Sequence, residues 1–346
     1  MYGKAFAPEY QGSLDGLSVN ASLDAVLATA LERQREAERA GCPRESAHAR
    51  LAVAEACRRL GRVTEADRAW KGSYRAARST GDPAAMAWAL WSGGTLARQR
   101  GALPLARRLL ALAAGLADGS GDFLARGYAL AGLAETGRIQ GDYEAVHALH
   151  ERLLAEARER GEARHMVWAL SGIAQMRRNT GDHEAALAMF EEAAGIAGAA
   201  EDARGLAWSL RGVADVRSLR GETEAALELL SRAEGTCRRM RLLSALGYNL
   251  KMRGNVLFRA GRYPEARECY REALAEFEAM QEPRGAALAR LGLVKTRARL
   301  GREASRTAAD LDELHRTLGG FGLRHARAMV DRARTELGLT PAPAAP

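Results

Sequence analysis

The chain has 346 residues, 47% of them hydrophobic and only 5% aromatic, with 51 Lys and Arg against 43 Asp and Glu for a formal charge of +8. A basic excess this small on a charge-mixed chain does not ask for nucleic acid, and no apolar run approaches the ~20 residues of a membrane span. The opening MYGKAFAPEYQGSL has no apolar core of a signal peptide. The four cysteines (Cys42, Cys57, Cys237, Cys269) include no close pair of the kind that holds a metal or runs redox chemistry. The expectation is a cytoplasmic protein with buried free thiols and neither metal nor cofactor.

In chain order, residues 1–20 carry no periodic pattern and read as an irregular arm. Ser22–Ala40 reads as a helix with Ser22 as N-cap, so that 21–40 forms a capping half-repeat. From Gly41 a forty-residue frame runs seven times, to residue 320. Gly61, Gly101, Gly141, Gly181, Gly221, Gly261 and Gly301 share one register, and Leu90, Leu130, Leu170, Leu210 and Leu250 another. Ala66, Ala106, Ala186, Ala226 and Ala266 share a third, with Val146 as the variant.

The fourth frame shows what each repeat contains. In Gly161–Ala200, Met166, Leu170, Ile173 and Ala174 lie on one helical face, and Ala185, Ala186, Met189, Phe190 and Ala193 make a second stripe after Gly181. That glycine suits the position just past a helix C-terminus. Pro43, Pro83 and Pro283 stand where first helices should begin, and Pro104 and Pro264 where second helices should. The last frame degrades, with Arg306 in the small-residue position and Asp310 in the bulky one, before GGFG at 319–322 breaks the pattern. Leu323–Leu337 reads as a capping helix within 321–338, and 339–346, ending TPAPAAP, as a disordered tail.

GRYPEARECYREAL at Gly261–Leu274 and GDHEAALAMFEEAA at Gly181–Ala194 resemble the tetratricopeptide repeat family. The usual repeat is about 34 residues. The longer period here is similar to the long-period solenoids of bacterial regulatory proteins, and about four-fifths of the chain takes part. The resemblance implies an all-α fold: a right-handed superhelical solenoid of antiparallel helix pairs, seven repeats plus capping helices.

Function should sit on the first helices. Their core stripe uses frame positions 6, 10, 13 and 14, and position 8 lies roughly 200° from position 10, away from that core. Position 8 nevertheless carries Trp88, Tyr128, Trp168, Trp208 and Tyr248. Nearby stripe positions add Trp91, Arg211 and Lys251, then Glu135, Gln175, Asp215 and Asn255, then Arg98, Arg138 and Arg178. Aligned by the central glycine, these fall on the family's groove-lining positions, so the resemblance implies a concave surface of rings, carboxylates, amides and guanidiniums. Lys251 and Asn255 have the spacing of the family's carboxylate clamp, whose other residues are absent. The competing reading is that each aromatic packs over a position-12 glycine (Gly132, Gly172, Gly212 or Gly292) of the neighbouring first helix.

His147 and His150 could touch one metal ion, but His150 occupies the frame position of Phe190 and Tyr270, which makes it a core residue. No catalytic constellation stands out. Glu135, Asp215 and the arginines are the only supply of acid–base groups in the groove. The expected function is a non-catalytic adaptor that recognises a peptide or protein segment in the groove. A sensor of a small effector is the alternative, and an enzyme built on the solenoid ranks behind both. Mixed acids and bases along the stripe disfavour nucleic acid.

Overall fold

The structure is a computed structural model that describes residues 17–301 and 303–339. Sixteen α-helices follow one another, and no strand occurs among the described residues. The odd-numbered helices are α1 (Leu23–Arg39), α3 (Val63–Ser79), α5 (Leu103–Ser120), α7 (Tyr143–Arg160), α9 (His183–Ala199), α11 (Thr223–Arg239), α13 (Tyr263–Ala279) and α15 (Ala304–Gly320). The even-numbered ones are α2 (Pro43–Arg59), α4 (Pro83–Gln99), α6 (Phe123–Gln140), α8 (Ala163–Asn179), α10 (Ala203–Leu219), α12 (Leu243–Arg259), α14 (Pro283–Arg299) and α16 (Arg324–Glu336). The even helices up to α14 are the first helices of the seven repeats, and each packs on the odd helices before and after it.

Helix ends follow the frame. At Gly181, φ is 89°, and the next amide, that of Asp182, donates to the carbonyl of Arg177 at 3.0 Å, which closes the preceding helix. The equivalent turns between repeats use Gly41, Gly81, Gly121 and Gly161, but then Glu201, Arg241 and Gln281, which hold φ of 53°, 58° and 50° without the freedom of glycine. The five frame prolines all lie in first turns, where the missing N–H has no helical partner. Asp82, Asp122 and Asp182 cap the helices that follow by accepting from backbone amides at 3.0, 2.9 and 3.2 Å.

Repeats interlock through position 30 of the second helix. Phe190 sits on Gly212, Tyr270 on both Gly254 and Gly292, Leu110 on Gly94 and Gly132, and His150 on Gly172. A Cβ at Gly212 would meet the Phe190 ring at 2.3 Å, so the notch admits only glycine. The glycines therefore receive second-helix residues of the preceding repeat, not the first-helix aromatics. His150 is a core residue: it is buried, its Nδ1 has no partner, and burial pushes its pKa down to about 4. His147 stays on the surface beside Glu151.

The superhelix meets itself. The Asn20 amide donates to the Glu201 carbonyl at 2.8 Å, Gln99 to the Met280 carbonyl at 3.2 Å, and Arg324 to Asp142 at 3.0 Å. These partners lie 181, 181 and 182 residues apart, so one superhelical turn takes about four and a half frames. The Leu23 amide reaches the Met240 carbonyl at 3.3 Å, which docks the start of α1 on the next turn. At the other end α16 buries Ala326, Val330 and Ala333 against α14 and α15, and also seats on α6 of the earlier turn. The segment expected to cap only the last repeat thus ties the two turns together. The expected N-terminal arm up to residue 16 and the tail from residue 340 lie outside the described residues.

Two outcomes are expected. Gln281→Gly should raise stability by about 1 kcal/mol, because it relieves a left-handed site that glycine fills elsewhere in the frame; an unchanged or lower unfolding midpoint would contradict that cost. His150 titrates near 6.5 when unfolded and stays neutral in the core, so its contribution is lost as pH falls from about 6.5 toward 4. His150→Phe, which copies Phe190, should flatten that acid limb in melting curves taken across pH. A limb of unchanged slope would contradict the assignment.

Candidate functional site

The position-8 stripe divides into a sealed half and an open half. Trp88, Trp91 and Tyr128 are buried, with rings in mutual edge-to-face contact at 5.1–5.7 Å. The Trp88 indole donates to Asp122 at 2.9 Å. Beneath Tyr128, Arg164 holds Asp202 through two bonds of 2.9 and 2.7 Å, with both side chains buried. Contrary to the groove assignment, these three rings offer no surface to a ligand. The ring of each repeat is consumed by the next one, because position 11 of α4 is itself a tryptophan that closes the cluster.

The other half differs where position 11 becomes cationic, as Arg211 on α10 and Lys251 on α12; on α8, which carries Trp168, it is Ser171. Trp168 packs edge-on to Tyr128 at 4.6 Å but is only partly buried. Trp208 is 44% exposed. Arg211 stands over the Trp208 ring at 5.0 Å and the Tyr248 ring at 5.7 Å, and Arg284 approaches Tyr248 from the next first helix at 5.7 Å. A guanidinium between two rings keeps them from closing on each other, so the Trp208 face remains available.

Around these rings runs a network of ions. Arg138 grips Glu135 through bonds of 2.7 and 2.6 Å, and Arg284 and Arg98 approach the same carboxylate at 3.6 and 4.0 Å. Burial alone would raise the Glu135 carboxyl, but the three arginines outweigh it and hold it well below the usual carboxylate range. Asp215 accepts from Arg178 and, at 2.8 Å, from Arg259. Burial again opposes ionisation there, and the cations again win. Glu282 accepts from the Tyr248 hydroxyl at 2.5 Å and from Ser244 at 2.8 Å.

Arg211 and Lys251 are the exceptions. Among the described residues neither has a hydrogen bond or an ion pair, only the ring contacts of Arg211. Burial, reinforced by Arg178, Arg284 and Arg211, pulls the Lys251 ammonium down to about 7 against the attraction of Asp215. Asn255 does not join Lys251 in a clamp, because its amide oxygen accepts from the core Tyr270 hydroxyl at 2.9 Å. Gln175 lies half-buried on the stripe.

Sequence reasoning missed Arg284, Arg259, Glu282 and the Arg164–Asp202 pair. One signal was available: Arg44, Arg164, Arg204 and Arg284 recur at position 4, one helical turn before the aromatic stripe. Elsewhere, a shallow depression of about 260 Å³ opens between α13, α14 and α15 over Leu274, Leu293, Val294 and Leu314. Asp310, standing where the frame puts a bulky residue, is part of its lining. Cys57, Cys237 and Cys269 are free thiols pushed up to about 11 by burial, and Cys42 is free and half-buried. Among the described residues no group of three His, Cys, Asp or Glu could hold a metal ion, and no helix is long and apolar enough to cross a membrane.

Two family models, both described as tetratricopeptide repeat, match residues 165–239 and 247–279. No curated protein matches the chain. Among solved structures the chain is similar to a Rap protein complexed with competence and sporulation factor, with a TM-score of 0.59 and 13% identity over 91% of this chain and 94% of that one. It is also similar to a signal transduction ATPase with numerous domains from Pyrococcus horikoshii that carries a tetratricopeptide repeat sensor. There the TM-score is 0.50 and the identity 13%, over 90% of this chain and 50% of that one. Likeness at such identity shows the fold.

The split stripe has an energetic signature. Trp88→Ala should cost about 3–5 kcal/mol, as for a core aromatic, and Trp208→Ala less than about 1 kcal/mol; equal losses on denaturant unfolding would contradict the division. Lys251→Met should stabilise the protein, most strongly below about pH 7, where the native state carries the poorly solvated charge in full. The advantage should shrink as pH rises toward the ~10.4 of an unfolded lysine, because the native lysine sheds its proton first. An advantage independent of pH would mean that Lys251 is well solvated.

Proposed function

The chain is a tetratricopeptide repeat protein, and from that premise we propose that it is a binding module whose inner face captures a peptide or protein segment between α8 and α14. The observation that carries the reading is Trp208: a large ring left 44% exposed beside Arg211, on a stripe whose other tryptophans are sealed or half-sealed. Exposed tryptophan beside arginine is the composition of an interface anchor. Its exposure is not a by-product of the fold, since the same frame buries Trp88 completely. The Rap protein of similar fold was crystallised with competence and sporulation factor, which accords with ligand capture by a superhelix of this kind.

A small effector is the second reading. It is favoured by the closeness of the walls: Glu135 of α6 comes within 3.6 Å of Arg284 of α14, so the inner face is narrow at that level. In either case the protein would act as an adaptor or regulatory component, passing on the state of the inner face through a partner.

A peptide library and a metabolite library, each read by fluorescence anisotropy or thermal shift, test the proposal. The expected result is a ligand that binds the wild-type protein and loses at least about tenfold in affinity with Trp208→Ala, at an unchanged melting temperature. A metabolite hit with no peptide hit would select the effector reading. Ligands that bind Trp208→Ala as well as wild type would overturn the inner-face site.

A further inference from the structure

Arg178 on α8, Arg211 on α10, Lys251 on α12 and Arg284 on α14 come from four successive first helices. Lys251 follows Tyr248 by three residues on one face of α12, Arg211 and Arg284 each stand 5.7 Å from the Tyr248 ring, and Arg178 pairs with Asp215, four residues after Arg211 on α10, so that the charges of all three arginines act on Lys251. The carboxylates nearby are already engaged: Asp215 by Arg178 and Arg259, and Glu135 by Arg138. Among the described residues Arg211 and Lys251 are left without one, although burial disfavours the charge on both. An uncompensated cation in a poorly solvated site destabilises the fold, and a methionine or leucine at either position would remove that cost. Such groups are what a site for an opposite charge requires before its ligand arrives.

We propose that Arg178, Arg211, Lys251 and Arg284 form a subsite for a compact dianion, a phosphoryl group carried by the ligand, with the Trp208 and Tyr248 rings flanking it. This rests on the reading of the inner face as a ligand site and adds the chemistry of the group recognised. A single carboxylate can bridge two cations, as Asp215 does, but it brings one charge to the two cations that lack a partner. A tetrahedral dianion presents three equivalent oxygens and can be met from several helices at once. The groups facing Lys251 are Arg211 and Asp215 of α10, Arg178 of α8 and Arg284 of α14. Burial, together with three cations against one carboxylate, depresses its proton affinity, and a bound dianion opposes both. Binding above about pH 7 should therefore take up a proton on Lys251.

Isothermal titration calorimetry of the full chain with sulfate tests this. Sulfate mimics a phosphoryl group and stays fully ionised from pH 6.5 to 9, so protons exchanged come from the protein. The titration is run at low chloride and pH 8 in two buffers of different ionisation enthalpy. Expected are saturable binding, uptake of up to about one proton, and affinity that falls as pH rises from about 7 to 9. Lys251→Met should abolish the uptake, and both Lys251→Met and Arg211→Met should lose at least about tenfold in affinity while melting no lower than wild type. No saturable sulfate binding, or binding unchanged in both variants, would overturn the subsite. Malonate, a dicarboxylate, binding in place of sulfate would overturn the phosphoryl assignment. A peptide or metabolite that depends on Trp208 but does not compete with sulfate would overturn the subsite and leave the inner-face reading standing. Sulfate binding lost in Lys251→Met with no Trp208-dependent ligand would support the subsite and count against the aromatic anchor.

Discussion

The seating of one bulky side chain on a glycine, made in five of the seven repeats, is the contact on which the rest depends. In α3, α5, α7, α9 and α13 the residue at position 30 (Trp70, Leu110, His150, Phe190 or Tyr270) projects onto a glycine in the first helix that follows, which lets the ring or branched chain approach the backbone. This contact fixes how far each repeat is rotated from the last. Rotation accumulates with little slack in a solenoid, since each repeat contacts chiefly its neighbours. After about four and a half frames the chain returns to itself, and Asn20, Gln99 and Asp142 meet residues roughly half the chain away.

That closure decides which side chains share a space. Glu135 and Arg284 are 149 positions apart in sequence and 3.6 Å apart in space, because α6 and α14 face each other across the coil. Within that space one change of residue type divides the inner face. Where position 11 is Trp91, the rings of α4 and α6 close on each other and stabilise the coil. Where it is Arg211, the guanidinium holds two rings apart, and one remains open. One half of the stripe is thus sealed into the coil, and the other keeps the open ring that we propose for recognition. The cost falls on Lys251, which keeps a charge that its surroundings disfavour.

The repeats were legible because each local signal agreed with the others: glycines in the left-handed turns, prolines in first turns, alanines in the buried stripe. Sixteen helices follow that grid. The superhelical turn was not legible. It depends on a few degrees of rotation per repeat, and no residue pattern in a single frame records that sum. The inner-face residues were therefore found by register, but their separation into sealed and open halves was not. Trp88 and Trp208 occupy the same frame position and differ only through neighbours on adjacent helices. Asn255 misled for a related reason, since its partner Tyr270 belongs to the second helix and not to the groove. Arg284 escaped notice because it precedes the aromatic stripe by a turn and meets Glu135 only once the coil has closed.

The central claim is that this one stripe is closed around α4 and α6 and open around α10. The protein's five tryptophans, Trp70, Trp88, Trp91, Trp168 and Trp208, allow it to be read residue by residue. Fluorotryptophan labelling, with the fluorine resonances assigned by single substitutions, measures the solvent isotope shift of each ring. The account predicts a full shift for Trp208, an intermediate one for Trp168, and almost none for Trp88 and Trp91. A Trp208 as protected as Trp88, or a Trp88 as accessible as Trp208, would contradict it.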